Sequence, residues 1–136
     1  MKQKILAVVM AAATLLLLLA GCGGNVRHVE IEPWESELYS EDDVNQAIST
    51  VESYFKSRFS GCKLTSITYA GDEKTEMEAA YAVKNDADEV IVLTSSFEVD
   101  ESGGDGSLNP NSTYENFQWL LVRKTGSAWQ HIDHGY

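Results

Sequence analysis

The chain has 136 residues, with 10 Lys and Arg against 21 Asp and Glu and a formal charge of −11. So acidic a chain is a poor nucleic-acid binder, because each phosphate contact needs a Lys or Arg. The length suits one domain beyond any targeting segment, and two cysteines cannot build a disulfide framework of the kind that staples small secreted folds.

The first element is a targeting segment. Lys2 and Lys4 precede an almost wholly apolar run from Ile5 to Ala20, and Leu19-Ala20-Gly21-Cys22 has the form of a lipobox. As a helix the run would cover about 24 Å, short of a hydrocarbon core of about 30 Å, which suits a cleaved signal peptide better than a permanent span. The expectation is cleavage before Cys22 and acylation of that cysteine, through a two-chain (diacylglycerol plus palmitate-type) anchor, on the extracytoplasmic face of the cell membrane. Removing residues 1–21 takes away two lysines and no acids, which moves the formal charge to −13. Cys62 is then left without an intramolecular partner. It reads as a small buried residue, and a Cys-His pair with His131 or His134 has no local support.

Residues 22–39 read as the lipidated N-terminus and a spacer, with Trp34 and Leu38 apolar enough to pack on the domain. A single α+β domain is expected over 40–136. Its first helix runs from about Glu41 to Phe59, with Ser40 as N-cap and Asp43 completing a capping box. Glu41, Asp42 and Asp43 favour the positive end of the helix dipole, and Lys56 and Arg58 the negative end. Val44, Ala47, Ile48, Val51, Tyr54 and Phe55 trace one apolar face, and Gly61 supplies a residue suited to positive φ after the last turn. A strand over Lys63 to Tyr69 follows. Asp72 is the expected cap of a second helix reaching about Lys84, with Met77, Ala80 and Tyr81 inward. Strands are expected over Glu89 to Val99, Tyr114 to Lys124 and Trp129 to about Gly135, forming an antiparallel meander. The fold class expected is a long helix packed on a curved, mainly antiparallel sheet of about four strands.

Three groups are candidates for chemistry. The loop after Val99 carries oxygen side chains at Asp100, Asp105, Asn109 and Asn111, a composition suited to Ca²⁺, to a partner, or to a loop that satisfies its own backbone. Its spacing does not match an EF-hand. His131, Asp133 and His134 are the one His/Asp cluster. Strand alternation would put His131 and Asp133 together and His134 opposite, and any catalytic use would need a nucleophile such as Ser95, Ser96 or Cys62. Tyr54, Tyr81, Phe97 and Trp119 suit either a ligand pocket or the core.

This element order, ending in Trp129-Gln130-His131-Ile132-Asp133-His134-Gly135-Tyr136, resembles the cystatin-like folds of the NTF2-like superfamily. The run Gly104-Asp105-Gly106-Ser107-Leu108-Asn109-Pro110-Asn111-Ser112-Thr113-Tyr114, followed by Trp119-Leu120-Leu121-Val122-Arg123, resembles a group of small lipoproteins from Gram-positive gut bacteria. The superfamily holds isomerases, dehydratases, transport factors and binding modules, so the resemblance implies a fold and leaves the activity open. The leading expectation is a non-enzymatic, membrane-anchored module that binds a protein, peptide or small ligand. The alternatives are a small-pocket enzyme using a carboxylate as general base, and a calcium-binding surface module.

Overall fold

The computed structural model describes residues 23–136, so the expected signal peptide and Cys22 lie outside the described residues. In chain order the elements are β1 (Glu30–Ile31), α1 (Glu41–Arg58), β2 (Cys62–Tyr69), α2 (Asp72–Met77), α3 (Ala80–Lys84), β3 (Glu89–Val99), β4 (Thr113–Arg123) and β5 (Gln130–Gly135).

Helix α1 starts where its sequence says it should. The Ser40 hydroxyl accepts from the Asp43 N–H at 3.1 Å and the Asp43 carboxylate accepts from the Ser40 N–H at 3.0 Å, so two otherwise orphan donors are satisfied. Val44, Ala47, Ile48, Val51 and Phe55 form its buried face. Against them lie Leu64, Ile67, Ile91, Leu93, Phe97, Trp119 and Leu121, which with their neighbours make the main core. A smaller cluster of Ala82, Val90 and Val122 sits on the opposite sheet face beneath α3. Coverage on both faces explains why Val90 and Val92 are buried along with Ile91 and Leu93.

The expectation of a long helix on about four mainly antiparallel strands is corrected. The sheet has five strands in the order β1-β2-β3-β4-β5 and is mixed, because β1 pairs with β2 in parallel while the other three pairings are antiparallel. Among the described residues there are three helices, and only α1 is longer than six residues, so the domain is strand-rich. The cystatin-like arrangement inferred from the resemblance is therefore not retained.

Two local causes account for the difference. The stretch read as spacer is docked: Gly24 N–H donates to the Lys56 carbonyl at 2.9 Å, Asn25 exchanges backbone hydrogen bonds with Cys62 and Leu64, and Glu30–Ile31 completes the sheet edge. Val26, Val29, Trp34 and Tyr39 then pack on the core. The second helix, expected as one piece, breaks at Glu78 and Ala79 into α2 and α3. That break changes which residues face inward, so Thr75 and Ala82 are buried while Met77 is 68% exposed and Ala80 is exposed.

Asp72 takes a different part from the one its position suggests. Gly71 is the N-cap of α2, and the Asp72 carboxylate instead accepts from the Ser36 and Tyr69 hydroxyls and the Glu37 N–H, at 2.6, 2.7 and 2.8 Å. These donors hold its pKa below the usual carboxylate value, and they tie the N-terminal segment to the end of β2.

Candidate aromatic pocket and histidine pair

The last turn of α1, the near ends of β4 and β5, and the loop joining β3 to β4 enclose a cleft of about 290 Å³. Its walls include the rings of Tyr54, Phe59, Phe117 and His134, and its polar groups include Arg58 and Asp105. Each ring is placed by a local rule. Tyr54 lies beside the buried stripe of α1, Phe59 closes the helix as its C-cap, and Gly61 at φ 74° turns the chain into β2. Trp119 lies in the core behind these rings. It has no exposed surface, and its ring centroid lies 6.1 Å from Tyr54, 5.3 Å from Phe59, 5.4 Å from Phe117 and 5.2 Å from His134.

The two histidines meet, contrary to simple alternation. Leu120 pairs with Asp133 and Leu121 with His131, so Ile132 is an extra residue on β5. Such a bulge shifts the side-chain phase by one residue. His131 and His134 therefore share a face, with His131 Nε2 and His134 Nδ1 only 3.1 Å apart. Asp133 does not join them. It is exposed, and its carboxylate accepts from the His134 N–H at 2.9 Å. The His131 ring also lies against Tyr54, with centroids 4.0 Å apart and planes inclined at 32°.

Burial lowers the pKa of both imidazoles, and a charge on His134 would lower that of His131 further, while Asp133 opposes both shifts. The pair is thus held neutral near pH 7, with one ring donating to the other. The unfolded chain then binds more protons than the folded one once pH falls below about 6.5, the ordinary histidine value. The stabilisation is complete above that pH and declines as pH falls through the depressed folded values. Thermal melts between pH 7.5 and 5 are expected to show a loss of roughly a few degrees that a His131→Gln/His134→Gln variant does not show. An unchanged slope in that variant would refute the assignment.

Of the other residues singled out from sequence, the structure brings only some together. Tyr54 lines the pocket. Phe97 and Trp119 have no exposed surface and belong to the core, and Tyr81 lies near Leu120 and Asp133 in a separate depression on the other sheet face. In the loop, the Asp100 carboxylate accepts from the N–H and hydroxyl of Ser102, and Asp105 accepts likewise from Ser107. These bonds lower both aspartate pKa values. The Asn109 N–H donates to the Tyr114 hydroxyl at 3.1 Å, its carbonyl accepts from Ser112, and Asn111, at φ 53°, donates its N–H to the Asp100 carbonyl at 3.0 Å. The two aspartate carboxylates and the backbone groups of the two asparagines are thus engaged in holding the loop itself. Among the described residues, no group of three or more His, Cys, Asp or Glu side chains is placed to hold a metal ion.

The nucleophiles nominated beside the histidines are also accounted for. Ser95 is buried, donating to the Phe117 carbonyl at 3.2 Å and accepting from the Trp119 indole at 2.7 Å. Ser96 is half-buried on β3, where its carbonyl accepts from the Thr65 hydroxyl at 3.0 Å. Cys62 is buried and borders the pocket, but burial, reinforced by Asp100 and Asp105, pushes its thiol up to about 11, so little thiolate exists at neutral pH. Sequence reasoning missed Phe59 and Arg58 as pocket residues. Their helical position marks them only as the end of α1, and the pocket arises from the β3–β4 loop folding back over that end.

No family model, no curated protein and no solved structure matches this chain. The resemblance to the small lipoproteins accordingly remains an expectation from sequence.

Proposed function

We propose that this protein is an extracytoplasmic, lipid-anchored binding module that takes a small planar ligand in the cleft between α1 and the β3–β4 loop. The observation that carries the reading is the pocket wall: Tyr54, Phe59, Phe117 and His134 present ring faces and edges around a space of about 290 Å³. That volume lies near the lower end for small-molecule pockets, and aromatic walls with a few polar groups at the rim are what such sites offer. Arg58, Asp105 and Ser107 supply those polar groups. The anchor rests on the lipobox at Leu19-Ala20-Gly21-Cys22.

The enzymatic alternative asks for a desolvated carboxylate facing the cleft. Among the described residues the buried polar side chains are Thr75 and Ser95, and the acid bordering the cleft is Asp105, exposed and bonded to Ser107. Binding is therefore the better supported reading.

Indole serves as a planar probe. Titrated into the ¹⁵N-labelled protein, it is expected to shift the amides of Tyr54, Phe59, Phe117 and His134 together, with Phe59→Ala weakening the response. Shifts scattered over the surface, or none at millimolar probe, would overturn the proposal.

A further inference from the structure

The chain immediately after the lipobox cysteine is part of the fold. A Cβ at Gly23 would lie 1.8 Å from the Lys56 carbonyl oxygen, and one at Gly24 would lie 2.4 Å from that of Phe55 and 2.8 Å from the Phe55 ring. Only glycine permits so close a backbone approach. With Gly24 also bonded to the Lys56 carbonyl and Asn25 bridged to Lys63, the backbone is fixed from Gly24 onward. Cys22 is the residue next to Gly23 in the chain.

The charges are ordered along the same axis. Eight Lys and Arg follow Cys22, and four of them, Arg27, Lys56, Arg58 and Lys63, gather around the docked glycines, all exposed. Glu98, which pairs with Lys63 in the sheet, and Asp100, Glu101 and Asp105 share this end, so it is balanced in charge where the opposite end is acidic. The opposite end carries the acidic first turn of α1 with Asp86, Asp88 and Glu89, relieved mainly by Arg123 and Lys124. A strand of eleven residues separates the two ends, a span of roughly 35 Å. An acidic protein is repelled by an anionic bilayer except where its cations face the headgroups.

We propose that the domain is seated on the membrane without a tether: Gly23 and Gly24, locked onto the end of α1, hold Lys56, Arg58 and Lys63 against anionic lipid headgroups, and the acidic pole points away. The inference rests on acylation of Cys22. It also sets the pocket beside the bilayer, because Arg58 and Ser60 border that cleft.

The test uses the full chain, expressed with its signal peptide and reconstituted in phosphatidylglycerol vesicles that contain a lipid with a gadolinium-chelating headgroup. The mass of the intact purified protein reports acylation. Spin labels are placed at Ser57→Cys, near the docked glycines, and at Val83→Cys on α3, each in a Cys62→Ala background. A second pair, Ser60→Cys and Thr125→Cys, guards against misfolding of any one variant. The expected result is relaxation several-fold faster at 57 and 60 than at 83 and 125. Acylated protein relaxing equally at both ends overturns the seating alone, whereas a mass without acyl chains overturns the anchor and the seating together.

Discussion

Trp119→Ala is expected to lower the unfolding free energy by about 3–5 kcal/mol, the range for truncating a large buried aromatic residue. Trp119 has no exposed surface and packs within 6.4 Å, centroid to centroid, of Tyr54, Phe55, Phe59, Phe117, His131 and His134. Alanine would leave a cavity where helix and sheet meet, behind the aromatic wall of the pocket. It would also strip the Ser95 hydroxyl of the indole donor at 2.7 Å. Trp119→Phe separates the two effects: it keeps most of the volume, and its specific cost from the lost hydrogen bond is about 1 kcal/mol. Urea denaturation followed by circular dichroism measures both. A loss below 1 kcal/mol for alanine would mean that the core does not close as described. Because the pocket walls lean on this indole, indole-probe binding is expected to fall with Trp119→Ala even where the domain remains folded.

Arg123→Ala is expected to cost about 2–4 kcal/mol, a figure reduced from that for fully buried pairs because water reaches the carboxylates. The guanidinium bonds Asp43 at 3.0 Å and Glu89 at 2.6 Å, with the Arg123 side chain 11% exposed and the two acids 28% and 31%. It also lies over the Trp129 ring, 4.1 Å from the centroid. One side chain thereby joins the first turn of α1 to β3, β4 and the start of β5, while the Trp129 indole donates to the Asp43 carbonyl at 3.1 Å. Arg123→Lys keeps the charge but loses the planar fork and the stacking, and is expected to recover less than half of the loss. The Asp43 pKa is lowered, first by the Ser40 N–H and then by Arg123 and the Ser40 hydroxyl. Its stabilisation is therefore complete above the ordinary carboxylate value and is lost as pH falls through the lower folded value. Acid titration of Arg123→Ala is expected to show a shallower loss than the parent, and an identical curve would disprove the coupling.

These sites show how far local rules carry. Ser40, Asp43 and the apolar spacing from Val44 to Phe55 specify α1 because capping and helical periodicity act within a few residues. The three long strands are legible for the same reason, since β-branched and aromatic residues alternate between breaker-rich turns. Where a neighbour distant in sequence intervenes, the reading fails. Met77 sits at a plausible inward position, yet the break at Glu78 and Ala79 exposes it, because Thr75 accepts from the Val92 N–H and anchors the preceding turn to the sheet instead. His134 reads as facing away from His131 until the bulge at Ile132 changes the phase of β5. Phe59 reads as the end of a helix and becomes a pocket wall only when the loop from Asp100 to Ser112 lies over it.

The sequence by itself determined the acidic balance, the capped amphipathic helix and the three-stranded meander, and it carries the motif behind the expected lipid anchor, all of which depend on composition or on contacts within a few residues. Tertiary structure alone decided that the stretch after Cys22 joins the sheet, that the histidines meet, and that four aromatic residues enclose a cleft. Those features depend on pairing register and on close backbone approach between residues far apart in the chain, and a single residue of register moves a strand side chain to the other face. Gly23 and Gly24 illustrate the division: in sequence they look like the start of a spacer, and the folded backbone brings them against the last turn of the helix too closely for any side chain.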